Sequence, residues 1–98
     1  MQKALGIIET KGFATAMQAA DASVKAANVV LGEWLPVGGG KVNVIMRGDV
    51  AAVKASIEAG VAAASQVGVV LGQTIIPRPS EKLDAQFPIG EKKSTAKK

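Results

Sequence analysis

The chain has 98 residues, enough for one domain of ordinary size with its own hydrophobic core. It contains no cysteine and no histidine, which excludes disulfides, thiolate metal sites and the commonest general base near neutral pH. The formal net charge is +4, but the last eight residues carry four lysines and one glutamate, so the remainder is almost neutral. We expect a domain over residues 1–90 and a basic disordered tail over residues 91–98.

The composition also narrows the class of function. With two Phe, one Trp and no Tyr, the chain has few platforms on which nucleic-acid bases could stack. No apolar run is long enough to span a bilayer, and no N-terminal segment has the layout of a signal peptide, so the cytosol is the expected location. The carboxylates are scattered over several predicted elements. We therefore predict no catalytic residues, no metal site and no cofactor.

The first half of the chain predicts a strand and a helix. Residues 3–12, KALGIIETKG, form a short apolar run that ends at Gly12, which is typical of a strand. The apolar residues then recur with helical spacing up to about Asn28, which predicts an amphipathic helix. Its expected core face consists of Phe13, Ala16, Met17, Ala20, Val24 and Ala27.

The next part of the chain predicts two strands followed by a second helix. VVLGEWLPV and KVNVIMR predict two strands joined by Gly38–Gly40, with Val42, Val44 and Met46 on one face of the later strand. Asp49 is placed to cap a second helix, for which Gly68 is the expected C′ residue. The expected core face of this helix consists of Val50, Val53, Ile57, Val61 and Ala64.

VVLGQTII then predicts a fourth strand, which ends at Pro77 and is followed by a short C-terminal segment. The order β-α-β-β-α-β predicts an α+β fold of the ferredoxin-like type: a four-stranded antiparallel sheet with two main helices on one face.

Three features allow more than one interpretation. Both helices carry many alanines outside their expected core faces, which fits either high helix propensity or close approach of another subunit. Arg78 lies between two prolines, in a turn that ends the last strand or in an extended segment that bonds across an interface. The glycines at 38–40 are no phosphate loop, because Leu35 and Val42 stand where such a loop needs Gly and Ser or Thr. They fit a plain hairpin or a close approach of backbones.

Several segments together are similar to one family. In order and spacing, ALGIIETKGF, AADASVKAANV, VGGGKVNVIMRGDVAAVKA and IIPRPS resemble the single-domain, hexamer-forming shell proteins of bacterial microcompartments, from about Ala4 to Gly90. The resemblance implies a permuted relative of the ferredoxin-like fold, the BMC domain. It also implies a flat homo-hexamer that tiles, with other shell proteins, into a shell around enzymes in the bacterial cytoplasm.

The resemblance also implies roles for particular residues. Gly38, Gly39 and Gly40 would surround the sixfold axis and form a pore for small metabolites, with Gly39 at its narrowest point. The hexamer–hexamer edge would contain Lys25, Asn28 and Arg78. Several residues depart from the family pattern. Pro36 stands where relatives often have a lysine, and Ser80 replaces a usual histidine. Ser23 replaces a usual methionine, which we expect to be a minor packing change.

A second interpretation is a ferredoxin-like module with a basic tail whose function is to bind a small ligand or nucleic acid. A tile would be a hexamer that forms sheets, whereas a binding module would be smaller and its binding would depend strongly on salt.

Overall fold

The computed structural model describes residues 3–32 and 35–86 and confirms the predicted order of elements. The strands are β1 (Ala4–Lys11), β2 (Val29–Leu31), β3 (Leu35–Gly38), β4 (Lys41–Gly48) and β5 (Val69–Ile76). The helices are α1 (Phe13–Ala26), α2 (Val50–Ser65) and α3 (Glu81–Gln86). The second predicted strand is therefore two short strands, and the short C-terminal segment contains a helix. The expected boundary after residue 90 and the tail at 91–98 lie outside the described residues.

The strands form one antiparallel sheet in the order β2-β4-β1-β5, with β3 also paired to β4. The two central strands are β1 and β4, and each edge strand pairs with one of them. When β2 and β3 are counted as one interrupted strand and the short α3 is left out, the elements follow one another as β-α-β-β-α-β, so the expected ferredoxin-like fold is confirmed. The expectation of a permuted version is wrong for the described residues, because the elements keep their ferredoxin-like order along the chain.

Helices α1 and α2 cover one face of the sheet. The predicted inward side of β4, Val42, Val44 and Met46, is buried there, and Ile8 of β1 lies beside it. A Cβ at Gly6 would lie 2.6 Å from Val53 of α2, so glycine lets this helix approach the sheet closely. The buried Thr10 is satisfied because its Oγ1 donates to the carbonyl of Val42 at 3.0 Å.

The predicted core face of α1 is wrong in part. Phe13 is 53% exposed and Val24 is 41% exposed, whereas the buried residues of this helix are Thr15, Ala16, Ala19 and Ser23. The cause is the close crossing of α1 over α2, where only small side chains fit. A Cβ at Gly60 would contact the Ser23 hydroxyl and lie 3.0 Å from the carbonyl oxygen of Ala19.

Two serines bind the crossing helices to each other. Ser23 Oγ donates to the carbonyl of Ser56 at 3.1 Å, and Ser56 Oγ donates to the carbonyl of Ser23 at 2.8 Å. Both side chains are fully buried. The expectation that Ser23 is a minor packing change is therefore wrong, because its hydroxyl is one half of a reciprocal helix–helix contact.

The ends of the helices differ in part from the expectation. Asp49 is the N-cap residue of α2, as predicted, although its side chain makes no capping hydrogen bond. The C-cap residue is Gln66, so Gly68 is not at C′; a Cβ at Gly68 would instead contact Thr15 Oγ1. At α3, the backbone N–H of Leu83 donates to Ser80 Oγ at 3.1 Å, which makes Ser80 a cap of this short helix. No helix of the described residues is long and apolar enough to cross a membrane.

Candidate functional site

The triple glycine forms a tight hairpin between β3 and β4. Gly38 pairs with Lys41, so Gly39 and Gly40 are the two loop residues. Their φ angles are 64° and 79°, and Gly38 has a φ of 91°. Positive φ at both loop positions is what a two-residue type I′ hairpin requires, and glycine reaches it without steric cost. All three residues are exposed, and a Cβ at any of them would meet no atom within 4 Å.

The hairpin is tied to the junction of β1 and α1. The N–H of Gly12 donates to the carbonyl of Gly40 at 2.6 Å. In the same place Lys11 pairs directly with Lys41 across β1 and β4, and both lysines are exposed. Two lysine side chains, both positively charged, therefore lie beside the glycine hairpin. The sequence analysis did not identify Lys11, because only the pairing of two strands distant in sequence brings it to the loop.

Lys25 and Asn28 lie where α1 ends and the chain turns toward β2. Lys25 is the basic residue of the last turn of α1, and its Nζ is 2.9 Å from the Asp21 carboxylate. The lysine side chain remains 73% exposed, so this ion pair leaves it accessible. Asn28 is exposed, and its carbonyl oxygen would lie 3.1 Å from a Cβ at Gly48, where the chain passes close to β4.

Arg78 lies directly after β5, between an exposed and a buried proline. Pro77 and Arg78 are exposed, while Pro79 is almost completely buried. A buried ring with a fixed φ holds the segment against the protein and leaves the neighbouring arginine at the surface. The planar guanidinium of such an arginine can donate several hydrogen bonds, and its backbone is already restrained by the neighbouring prolines.

The strand register separates these residues into two groups. One row across the sheet contains Lys41, Lys11 and Val69, at what we call the glycine end. The opposite row, which we call the far end, contains Val30, Arg47, Leu5 and Ile76. The rows are six residues apart on β1, or about 20 Å at the usual strand rise.

Each candidate residue belongs to one of these ends. Asn28 precedes Val30 by two residues and Arg78 follows Ile76 by two, so both lie at the far end, on opposite edges of the sheet. Helix α1 starts after Gly12 at the glycine end, and Lys25 lies near its other end. The fold therefore brings Lys25, Asn28 and Arg78 to one end and places the glycine hairpin at the other.

Arg47, the first residue of the sequence RGD, is buried and binds backbone. Its Nε donates to the carbonyl of Ala4 at 3.1 Å, and its Nη2 donates to the carbonyl of Lys3 at 2.6 Å. The side chain thereby fixes the start of β1 against β4. Within residues 3–32 and 35–86, no three His, Cys, Asp or Glu side chains are grouped so that they could hold a metal ion.

Comparison with known proteins identifies the family. The family model of the BMC domain matches residues 4–79. The bacterial microcompartment shell protein PduA of Citrobacter freundii is 52% identical over 89 residues, which cover 91% of this chain and 96% of that protein. The carboxysome shell protein CcmK2 of a Synechocystis strain is 50% identical over 91 residues, which cover 91% of this chain and 88% of the relative.

A solved structure has the same fold. The crystal structure of a microcompartment protein from Desulfitobacterium hafniense DCB superposes with a TM-score of 0.79 at 42% identity. The match covers 87% of this chain and 48% of that chain, so the present chain spans about half the length of that relative. This chain belongs to the BMC domain family and is a structural shell protein of a bacterial microcompartment, not an enzyme.

Proposed function

We propose that six copies of the chain form a flat ring in which the glycine ends converge on the axis and the far ends form the rim. The observation that supports this arrangement is the separation of the candidate residues along β1. The hairpin of Gly38–Gly40 lies at one end, and Lys25, Asn28 and Arg78 lie at the other. A cyclic tile needs this division, because the surface at its axis and the surface at its rim meet different neighbours.

At the axis, six glycine hairpins leave an opening for small polar metabolites. The three residues carry no side chains, and their exposed backbone N–H groups can bind a polar or anionic solute. The exposed pair Lys11 and Lys41 adds two positive charges beside each hairpin. Because these charges repeat around the axis, the pore favours anionic over cationic solutes of the same size.

At the rim, neighbouring hexamers meet through Lys25, Asn28 and Arg78. Each side chain offers hydrogen-bond donors, and the arginine is held in place by the buried Pro79. The individual contacts are modest, but every hexamer repeats them around its perimeter, so a sheet gains avidity. The same rim would contact other shell proteins of the compartment, and the enclosed enzymes would face one side of the sheet.

The rim assignment is tested by Lys25→Ala. We expect the variant to remain a hexamer in size-exclusion chromatography with light scattering, but to lose the sheets or tubes that the wild type forms in negative-stain electron microscopy. Lys54→Ala is the matched control, since Lys54 is an exposed lysine of α2. Loss of the hexamer itself, or sheets as extensive as those of the wild type, would contradict the rim role of Lys25.

The pore assignment is tested by Gly39→Leu. Six leucine side chains at the axis should reduce the rate at which a small anion crosses assembled shells. Gly39→Ala is the control, because it imposes the same backbone strain but adds only one methyl group per copy. Equal permeability of the leucine and alanine variants would place the pore elsewhere.

A further inference from the structure

Gly12 connects the glycine hairpin to helix α1 through its own backbone. Its N–H donates to the carbonyl of Gly40 at 2.6 Å, and its carbonyl accepts the N–H of Ala16 at 3.2 Å, at the start of α1. The first bond ties the residue to the hairpin, and the second ties it to the helix. The backbone of this one residue therefore fixes how the hairpin lies against the rest of the chain.

Residue 12 is glycine because of its backbone conformation. Its φ is 93° and its ψ is 148°, a combination that L-residues with side chains avoid. Space is not the reason, because a Cβ there would meet only Thr15 Oγ1, at 3.9 Å. A residue with negative φ could not keep both backbone bonds. Since the serine contact with α2 also holds α1 in place, we expect the bond to the hairpin to be lost first.

This bond decides which polar groups the hairpin presents to its surroundings. The loop residues Gly39 and Gly40 are exposed, and Gly12 engages the carbonyl of Gly40. Within residues 3–32 and 35–86, the N–H groups of both loop residues and the carbonyl of Gly39 have no hydrogen-bond partner. The loop thus offers two donors and one acceptor, whereas without the Gly12 bond it would offer two of each.

We propose that Gly12 is a positioning residue that determines the ion preference of the pore. By binding the Gly40 carbonyl it removes one acceptor from each hairpin and leaves an excess of N–H donors around the axis. Unpaired N–H groups favour anions, whereas rings of unpaired carbonyl oxygens favour cations. The inference rests on the proposed pore, and it assigns part of the selectivity to a residue outside the hairpin.

This backbone contribution differs in range from that of Lys11 and Lys41. The charges of exposed lysines are screened by salt, with a Debye length of about 10 Å at 0.1 M and about 3 Å at 1 M. A hydrogen bond acts at contact distance and is screened much less. The anion preference that remains at high salt should therefore come mainly from the backbone groups of the hairpin.

The test removes the N–H of residue 12 without adding a side chain. Gly12→glycolic acid, made by chemical synthesis of the full chain, replaces the amide by an ester and keeps the backbone free to adopt positive φ. Gly32→glycolic acid is the matched control, because the Gly32 N–H donates to the carbonyl of Ile45 at 2.7 Å, away from the hairpin. Gly12→Ala is the genetic counterpart. Circular dichroism and negative-stain electron microscopy check the fold and the assembly.

The measured quantity is the ratio of anion to cation permeability. A fluorophore trapped in assembled shells is quenched by iodide or by caesium, at low and at high salt. At high salt the ratio should fall about fivefold in both Gly12 variants, the effect of one ordinary hydrogen bond on an equilibrium. Gly32→glycolic acid should keep the wild-type ratio. Shells assembled from an equal mixture with the wild type should show a smaller fall, and they allow a variant that forms no shells alone to be measured.

The outcomes separate this inference from the proposed pore. If Gly39→Leu and Gly39→Ala shells are equally permeable, the pore lies elsewhere and the inference fails with it. If Gly39→Leu reduces permeability but Gly12→glycolic acid keeps the wild-type ratio, the role of Gly12 alone is overturned. A shift no larger than that of Gly32→glycolic acid, or an equal change in both permeabilities, overturns it as well, because a merely structural bond would give that result.

Discussion

Two groups of glycines have opposite physical reasons for being glycine. At the hairpin, Gly38, Gly39 and Gly40 have positive φ angles, and a Cβ would touch nothing. In the core, a Cβ at Gly6 would lie 2.6 Å from Val53, and one at Gly60 would contact Ser23. The hairpin needs glycine for backbone conformation, whereas the core needs it for space. Substitutions at the two places should therefore differ in size and in what they disturb.

The largest effect is expected at the helix crossing, from Gly60→Ala and Gly60→Val. The new Cβ would press on Ser23 and on the backbone of Ala19, so overpacking should lower the free energy of unfolding by about 1–3 kcal/mol for alanine and by more for valine. Urea unfolding measures the change, and Ala62→Val, an exposed site on the same helix, is the control. A Gly60→Ala protein as stable as the wild type would contradict this, because α1 and α2 would then accommodate the new methyl group with no loss of unfolding free energy.

An intermediate effect is expected from the serine pair in the same crossing. Ser23→Ala and Ser56→Ala each remove one buried hydrogen bond and should each cost about 1–2 kcal/mol. The two bonds belong to one contact, so the loss in the double variant should differ from the sum of the two single losses. Ser65→Ala, at the exposed end of α2, controls for the loss of a hydroxyl. Stability equal to that of the wild type in both single variants would contradict the contact.

The smallest effect is expected at the hairpin. With a φ of 64° at residue 39, Gly39→Ala should cost about 1 kcal/mol in unfolding free energy through backbone strain alone. Gly39→Asn should cost less, because asparagine tolerates the left-handed region. Thermal unfolding of the two variants measures the difference. If both are equally destabilised, the strain does not come from φ.

The sequence predicts the parts of this protein in which one signal dominates. β1, β5 and α2 lie where their apolar patterns place them, although Val50, predicted on the core face of α2, is 44% exposed. The order of elements gives the fold class. The core face of α1 is different, because hydrophobicity ranks Phe13 and Val24 above Thr15 and Ser23, while the close crossing admits only small residues. Periodicity in one helix contains no information about how near the next helix lies.

The candidate site residues also fall into those that local sequence identifies and those that only strand pairing brings together. Gly38–Gly40, Lys25, Asn28 and Arg78 are recognised from local motifs and from the family resemblance. The place of Lys11 beside the hairpin depends on strand register, which pairs it with Lys41, a residue 30 positions later in the chain. Composition and local spacing do not specify such pairs, since a shift of one residue would move every partner to the other face.

The length of β1 affects the distance between neighbouring hexamers in a shell. In the proposed tile the strand runs from axis to rim, so its eight residues set about 23 Å of the radius of the tile. Inserting or deleting two residues in β1 would preserve which side chains face the helices but change this radius by about 7 Å. A tile altered in this way could close on itself and still be excluded from a sheet of unaltered tiles. Length matching of a single strand would thus decide which shell proteins share one facet.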